Sequence, residues 1–402
     1  MSVELKIGFL PLVDACLPIL AHEHGFAEEE GLSLSFQRDV SWATVLDRLL
    51  YGHSDAAHLV APLAIATTLG RGRPAQPIAA PFVLGLNGNA ITLHTELAAR
   101  IDAPEGLGDP REIGAALARQ TADRASSGRK LRFGVVHRYS SHNYMLRYWL
   151  ASCAIRPDVD VEIVTISPPF LADALAAGEI DGACVGEPWN SAAVDRGVGV
   201  IVLATAQIWR RGVEKVLGLR EAVLDEKRPQ IEALIRAMRM AGRHFVEPEN
   251  WARNAQILAK PEYLDADPEL IRRAISDRLV LRQGGEPIHY SDFMFQYREA
   301  ANFPWVSQAE WLYTQMVRWD GGGFNADDAR KAAHVFRPDI YRSALKDVDD
   351  VLPGASSKVE GSLDSPIAVT TQSGDMTLGK NTFFDGMSFD PDDMPAYLAG
   401  LP

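Results

Sequence analysis

The sequence contains GHSDAAHLVAP at residues 52–62 and GEIDGACVGEP at residues 178–188, and the two stretches align without gaps. Each follows a helical pattern that ends in glycine, and each forms a short strand that leads into a loop with proline. In doubly wound α/β sheets, ligands bind at the carboxyl ends of the strands. Two such units facing one another predict two lobes with a cleft between them. Coincidence is the alternative, because Gly and Asp punctuate most α/β chains.

Strand and helix patterns alternate around both stretches, over the first 70 residues and again from residue 131 to residue 178. This βαβα order predicts mostly parallel sheets flanked by helices, and therefore the α/β fold class. The chain has 402 residues, which is too many for one small core and is typical of two lobes with additional segments.

We predict that lobe I begins with residues 1–92, that lobe II covers residues 93–205, and that residues 206–402 return to lobe I. This last part includes a helical extension and a C-terminal tail. Beyond residue 350 the sequence becomes polar and loop-like, as in Pro353-Gly354-Ala355-Ser356-Ser357. The tail is either a strap over the main lobe or a segment that docks a partner.

The composition limits the classes of ligand. The formal net charge is −13 and no run of Lys and Arg stands out, which argues against a nucleic-acid or anionic-membrane surface. An anionic ligand therefore requires a local arrangement of donors that overcomes the global charge. The three cysteines (Cys16, Cys153 and Cys184) lack metal-ligand spacing, and we expect them to be buried free thiols.

The N-terminus lacks the pattern of a secretory signal, because Met1–Lys6 leads directly into a strand-like Ile7–Leu10. No run of about 18 apolar residues occurs either. The expectation from this start is a cytoplasmic protein, although a chain from which a leader has been removed would begin in the same way.

Motifs typical of enzymes are missing from the sequence. There is no glycine-rich phosphate loop after a strand, no His-Glu-x-x-His and no Gly-x-Ser-x-Gly. The His and Cys residues also lack zinc spacing. We therefore predict a protein that is not an enzyme and has no cofactor and no metal.

The helix that opens at Ser140-Ser141-His142 suits an anion, because its first N–H groups have no intrahelical partner and its dipole is positive there. The alternative is that Ser140 or Ser141 only caps the helix. The same dipole disfavours the imidazolium form of His142, which would then serve as a neutral N–H donor or become charged once an anion arrives.

Donor and aromatic side chains concentrate at other loops as well. Asn89 follows Asn87-Gly88 at a turn that leads into a strand. Trp42 and Trp189 either wall a cleft and donate indole N–H groups or belong to the core. Lys215 either supplies the charge that balances an anion or is an exposed lysine paired with Glu214 or solvent.

At these residues the sequence resembles the nitrate- and bicarbonate-binding family of ABC-transporter solute-binding proteins. The matching motifs occur in the family's order: Gly8-Phe9-Leu10-Pro11-Leu12-Val13-Asp14, Ser41-Trp42-Ala43, Asp55-Ala56-Ala57-His58-Leu59, Asn87-Gly88-Asn89-Ala90-Ile91-Thr92, Arg147-Tyr148-Trp149-Leu150-Ala151, Pro168-Pro169, Gly186-Glu187-Pro188-Trp189-Asn190, Glu214-Lys215-Val216-Leu217-Gly218 and Phe389-Asp390-Pro391 with Tyr397. The resemblance implies a type II periplasmic-binding-protein fold, in which two α/β lobes surround a ligand cleft and are joined by two crossing strands.

The resemblance also implies the ligand contacts, which are Trp42, Asn89, His142, Gly186, Trp189 and Lys215. Two of these positions are informative. Relatives commonly carry Gln at position 89, so the shorter Asn89 implies a lost or water-mediated contact. A lysine at position 215 matches the nitrate binders, whereas the bicarbonate binder has an acidic residue there together with calcium. Lys215 therefore implies a monovalent oxyanion without metal.

With a cytoplasmic location, the resemblance points to sensors of the NasS type. These are thought to hold an RNA-binding antiterminator of the NasT type and to release it when nitrate or nitrite closes the lobes. The chain itself would contact neither nucleic acid nor membrane. Two alternatives remain: the substrate-binding component of a nitrate ABC transporter, and an enzyme on the same fold, such as a pyrimidine-precursor synthase.

Overall fold

The computed structural model describes residues 2–126, 128–348, 351–371 and 374–402. The strands are β1 (Val3–Phe9), β2 (Leu32–Arg38), β3 (Ala56–Val60), β4 (Ile78–Ala79), β5 (Val83–Asn87), β6 (Asn89–His94), β7 (Leu131–Val135), β8 (Val161–Thr165), β9 (Gly182–Gly186), β10 (Gly199–Ala204), β11 (Val213–Arg220), β12 (Arg278–Leu279), β13 (Ile288–His289), β14 (Met294–Phe295), β15 (Ile367–Thr370) and β16 (Asp375–Leu378).

The α-helices are α1 (Cys16–Glu23), α2 (Phe26–Glu29), α3 (Trp42–Leu50), α4 (Ala61–Thr68), α5 (Thr95–Arg100), α6 (Pro110–Ser126), α7 (Ser141–Ser152), α8 (Leu171–Ala176), α9 (Trp189–Asp195), α10 (Glu221–Glu226), α11 (Arg228–Phe245), α12 (Trp251–Leu258), α13 (Pro268–Ile275), α14 (Val306–Asp320), α15 (Ala326–Val335), α16 (Pro338–Leu345) and α17 (Met394–Ala399). None of these helices, as far as the structure describes the chain, is long and apolar enough to cross a membrane.

Lobe I is built on the larger sheet, whose strands lie in the order β14-β5-β11-β3-β1-β2, with β4 paired to β11. Strand β1 pairs in parallel with both β2 and β3, whereas β11 runs antiparallel to β3 and β5. The β3 strand is buried along its whole length, as expected for a strand with helices on both faces of its sheet.

Lobe II is built on a second sheet in the order β10-β6-β9-β7-β8. Strands β9, β7 and β8 run parallel, and β6 runs antiparallel to both of its neighbours, β9 and β10. The predicted α/β class with two lobes is therefore confirmed. Strands β3 and β9, which lie within the two aligned stretches, occupy the interior of the two sheets, and each leads into a helix, α4 or α9.

The chain crosses between the lobes twice, once at Gly88 and once between β10 and β11. Strand β6 pairs within the second sheet, so the first crossing lies slightly earlier than the boundary predicted after residue 92. Asn87 and Gly88 have φ angles of 60° and 84°, a left-handed pair that Asn and Gly tolerate best. The Asn87 amide also donates to the Arg210 carbonyl and accepts from the Gly212 N–H, which joins the two crossings.

The C-terminal tail is a strap over the junction of the lobes. The Phe383 ring stacks on Trp209 and Trp311 at centroid distances of 5.0 and 5.6 Å. Two residues later, the Asp385 carboxylate accepts a hydrogen bond from the Tyr148 hydroxyl of α7 in lobe II. The strap alternative is thus the one that the contacts of the tail favour, while the β15–β16 hairpin stands largely exposed.

Candidate functional site

Lys215 lies on β11 and its side chain is completely buried where the two lobes meet. Its ammonium Nζ is 2.5 Å from Asp14 Oδ2 and 3.1 Å from Glu214 Oε1. Burial alone would lower the pKa of Lys215, but these two carboxylates raise it, so the lysine is a cation. The exposed-lysine alternative is wrong, although the pairing with Glu214 that went with it is present.

Asp14 follows the carboxyl end of β1 and is also buried. Its second oxygen, Oδ1, lies 2.9 Å from His58 Nε2 on β3. Burial alone would raise the pKa of Asp14, but Lys215 and His58 hold it well below its usual range. Burial lowers the pKa of His58 in spite of Asp14, so this imidazole is neutral. Asp14 is therefore a fixed negative charge between a lysine and a neutral histidine.

His142 is the second residue of α7, in lobe II. Its Nε2 atom is 3.4 Å from Lys215 Nζ, and its Nδ1 atom lies 3.1 Å from Glu214 Oε1 without the alignment of a hydrogen bond. Burial and then Lys215 hold the pKa of His142 well below its usual value. The sequence predicted a neutral His142 for another reason, the helix dipole.

Ser140 caps α7, because its hydroxyl accepts a hydrogen bond from the Asn143 N–H at 3.2 Å. The capping alternative for this serine is therefore correct. The Ser141 hydroxyl donates to the Glu214 carbonyl across the cleft at 3.4 Å. Capping and a cleft position are compatible here, since the capped end of α7 points His142 at Lys215.

Asn89 and Gly186 are direct neighbours, paired across β6 and β9. A Cβ atom at Gly186 would lie 3.1 Å from Asn89 Oδ1 and 3.7 Å from Asp14 Oδ2, so glycine leaves room for both polar groups. Asn89 is fully buried, and neither its Nδ2 nor its Oδ1 has a hydrogen-bond partner within the described part of the chain.

Trp42 begins α3 and packs its ring 5.1 Å from the His58 ring. The side chain is buried, and its Nε1 has no hydrogen-bond partner among the residues that the structure describes. The ring is thus part of the core and at the same time holds an unpartnered donor next to the Asp14–His58 pair. The core alternative is correct for the ring, and a contact of its N–H group with a ligand stays a prediction.

Trp189, the first residue of α9, uses its indole N–H within the protein. Its Nε1 donates to the Pro11 carbonyl of lobe I at 2.9 Å. Close by, the Val13 N–H donates to the Glu187 carbonyl, also at 2.9 Å. Both bonds run between the lobes, so the lobes are in contact at this side of the cleft. A ligand contact through the indole ring stays a prediction, because its N–H group is bound to Pro11.

Sequence reasoning assigned no role to Asp14 and His58. A signal was present for each, since Asp14 is the only charged residue between Ile7 and Ala21, and His58 interrupts an apolar strand. Polar residues inside apolar runs are typical of buried, paired groups. The local pattern does not say which groups pair with them, however.

The cluster has the chemistry of a site that binds and releases an ion. It combines one ammonium, ionised Asp14, Glu214 with a pKa that burial raises, two neutral imidazoles, and the unpartnered Trp42 and Asn89 groups. No group of three or more His, Cys, Asp or Glu in the described ranges is arranged to hold a metal ion. The prediction of a metal-free site stays a prediction.

Known proteins resemble the chain along its whole length. The profile of the NMT1-like family matches residues 2–259. The nitrate/nitrite binding protein NrtA of Synechococcus elongatus is 30% identical over 99% of this chain and 86% of its own. The bicarbonate transport ATP-binding protein CmpC of the same species is 31% identical over all of this chain but only 55% of its own length. The chain thus spans about half of that relative.

A solved structure shows the same arrangement. The periplasmic nitrate-binding protein NrtA from Synechocystis superposes with a TM-score of 0.87 and 26% sequence identity. The match covers 100% of this chain and 99% of that protein. The predicted periplasmic-binding-protein fold is therefore confirmed over the full chain, including the tail.

Proposed function

The chain belongs to the NMT1-like family, and we propose that it binds nitrate or nitrite in the cleft between its lobes and releases the anion unchanged. The relatives support this ligand class, since proteins named as nitrate or nitrite binders match nearly the whole chain. The proposed contacts are those expected from the sequence, Trp42, Asn89, His142, Gly186 and Lys215, with Trp189 at the edge of the cleft.

One observation carries the proposal: a buried ammonium lies in the same cluster as buried donors that have no partner. Lys215 is the charged group, and Trp42 Nε1 and Asn89 Nδ2 are the donors of this cluster that have no partner in the described part of the chain. A buried donor without a partner costs about 1–3 kcal/mol. A small anion that only accepts hydrogen bonds removes this cost and gains the charge of Lys215, and nitrate and nitrite have this chemistry.

The position of these groups couples binding to closure of the lobes. Lys215 and Trp42 belong to lobe I, whereas Asn89, Gly186 and His142 belong to lobe II. An anion that bridges both sets binds the closed state better than the open state and shifts the population toward closure. Binding and release then require no chemical step, which is why we propose a protein that is not an enzyme.

For the cellular role we propose a cytoplasmic sensor that holds an RNA-binding antiterminator of the NasT type until nitrate or nitrite closes the lobes. Two lobes that move relative to each other change the surface offered to a partner. The coupling is reciprocal by linkage: a partner that prefers the open state weakens anion affinity by the factor by which the anion weakens the partner. The binding component of a nitrate transporter is the alternative, and it shares the same site.

Isothermal titration tests the ligand first, with nitrate, nitrite, sulfate and bicarbonate as separate injections and bicarbonate repeated with calcium. One-site binding of nitrate or nitrite supports the proposal, and ion chromatography after incubation should recover the anion unchanged. The absence of binding for all of these anions, or binding of bicarbonate only with calcium, contradicts it.

A second titration separates the sensor from the transporter component. The purified antiterminator is added with and without nitrate, and it should bind the sensor, whereas a transporter component would bind a membrane permease instead.

A further inference from the structure

Three polar groups of the protein already surround the Lys215 ammonium: two carboxylates and the neutral His142 imidazole, whose Nε2 accepts a hydrogen bond in the Nδ1–H tautomer. An ammonium has three N–H donors. The acceptors around Nζ are Asp14 Oδ2 at 2.5 Å, Glu214 Oε1 at 3.1 Å and His142 Nε2 at 3.4 Å. An anion that enters the site therefore meets a lysine whose donors are in use. It has to displace one of these groups before it pairs with Lys215.

Asp14 differs from the other two groups because it lies nearest to Lys215, is ionised, and is held in position by its own hydrogen-bond partner. Its carboxylate makes the shortest of the contacts and is held on its other oxygen by His58 at 2.9 Å. Its neighbour Val13 is tied to the Glu187 carbonyl of lobe II, which fixes the loop that carries the carboxylate. Asp14 Oδ2 also faces Gly186, beside the unpartnered amide of Asn89.

We propose that Asp14 is a positioning residue that determines specificity: it occupies Lys215 in the empty site as an internal anion and restricts the ligand to small, singly charged oxyanions. The inference rests on the proposed function and deepens it. An entering anion displaces Asp14 from Lys215 and then lies near a carboxylate that stays negative. Repulsion from Asp14 offsets most of the attraction to Lys215, and both scale with the charge of the ligand. A second negative charge on the ligand therefore gains little from the site, whereas its cost of desolvation is larger.

A different role for Asp14 predicts a different ligand. A carboxylate in a cleft also accepts a hydrogen bond from a hydroxyl group of a ligand, as bicarbonate would supply. The 2.5 Å contact with Lys215 favours the first role, because Asp14 is already paired with a cation, and the unpartnered Asn89 Oδ1 is the acceptor left for a hydroxyl group. Nitrate and nitrite have no hydroxyl group to offer to Asp14.

The test compares Asp14→Asn with wild type by isothermal titration of nitrate, nitrite, bicarbonate and sulfate. Asparagine retains the shape and can keep hydrogen bonds to both His58 and Lys215, but it removes the negative charge. We expect nitrate to bind about tenfold more tightly or better, and sulfate binding to become measurable. The melting temperature should fall, because a buried ion pair is lost. Tighter binding by a less stable protein is not what a merely structural residue would produce.

Asp55→Asn is the matched control. Asp55 immediately precedes β3 in lobe I and pairs with Lys227 at 2.7 Å, away from the site cluster. Its loss removes an Asp–Lys pair from the same lobe, and nitrate affinity should stay at the wild-type value. Asp14→Ser is the second variant if the asparagine variant does not fold, since it also removes the charge and retains a hydroxyl group for His58.

The outcomes separate this inference from the proposed function. If wild type binds none of the anions, the proposed function fails. If wild type binds nitrate or nitrite but the neutral variants bind it equally or more weakly, only the role of Asp14 fails. Weaker bicarbonate binding by Asp14→Asn would assign the hydroxyl-acceptor role instead. The titration of wild type is also a test by itself, because sulfate binding as tight as nitrate binding overturns the inference about Asp14.

Discussion

The indole N–H of Trp189 in lobe II donates a hydrogen bond to the Pro11 carbonyl in lobe I at 2.9 Å. The two residues are far apart in sequence and meet only where the lobes touch. Because the Val13–Glu187 backbone bond lies beside this contact, the pair forms a latch on one side of the cleft. The closed state that we propose for the ligand-bound protein is therefore stabilised in part by hydrogen bonds between the lobes that do not involve the ligand.

Trp189→Phe should weaken nitrate binding by about fivefold, because it retains a large ring but loses one interlobe hydrogen bond of about 1 kcal/mol. Isothermal titration measures the change. Trp319→Phe is the control, since the Trp319 Nε1 has no hydrogen-bond partner in the described chain and the residue lies outside the site. Equal nitrate affinity of Trp189→Phe and wild type would show that the latch does not contribute to closure.

Lys215→Met should abolish nitrate binding and lower the free energy of unfolding by about 3–5 kcal/mol. The variant leaves Asp14 and Glu214 buried without their cation, and removing one partner of a buried ion pair has a cost of this size. Titration with nitrate and urea denaturation measure the two effects. Retained nitrate binding would remove Lys215 from the proposed contacts, and unchanged stability would mean that water or protonation compensates the carboxylates.

Nitrate affinity should rise as the pH falls from about 8 to about 5.5. In the free protein, burial and Lys215 hold the pKa of His142 well below its usual value. A bound anion favours the imidazolium and raises that pKa, so the complex binds more protons than the free protein and binding strengthens in acid. Titrations in buffers of different ionisation enthalpy should report proton uptake, and His142→Gln should reduce it. Proton release on binding would contradict the sign of this linkage.

Glu187→Gln should stabilise the protein above neutral pH by about 3 kcal/mol. Burial raises the pKa of Glu187 to about 7, so the folded state keeps a proton that the unfolded state has already lost above its pKa of about 4.3. The stability contributed by the neutral acid is complete below the unfolded pKa and is lost as the pH rises toward 7. Urea denaturation of wild type and variant across this range measures the effect.

The control for this prediction is Glu179→Gln, an exposed carboxylate of the same lobe. Its substitution should change the free energy of unfolding little, as is usual for an exposed surface residue. If Glu187→Gln follows the wild-type curve throughout, the Glu187 carboxylate must be solvated or paired in solution.

Much of the fold was predictable from local patterns. The aligned stretches at 52–62 and 178–188 identified equivalent strands in two sheets, because strand and helix periodicities depend on near neighbours in the chain. The Asn87-Gly88 pair predicted a turn for the same reason, since few residues adopt the left-handed conformation that both have. The boundary after residue 92 was less accurate, because the sheet to which β6 belongs is decided by pairing with β9.

The candidate contacts were predicted as residue types and positions, and those positions converge in the structure, while their contact with a ligand stays a prediction. The sequence placed Asn89, Gly186, His142 and Lys215 as candidates, and the structure brings them into one cluster. The sequence also allowed an exposed Lys215 side chain, because a lysine beside a glutamate is typical of a solvated surface. Its complete burial follows from the position of β11 between β3 and β5, which periodicity does not reveal.

The sequence by itself determined the α/β class, the two-lobed plan and the family, because these depend on local periodicity and on motifs in a fixed order. Only the tertiary structure decided which charged groups form ion pairs with each other. A buried lysine requires a counter-charge, but the chain contains 53 acidic residues and no local rule selects Asp14 among them. That choice depends on which strand ends meet when the sheets form and the lobes close, so Asp14, His58, His142 and Lys215 become one site only in three dimensions.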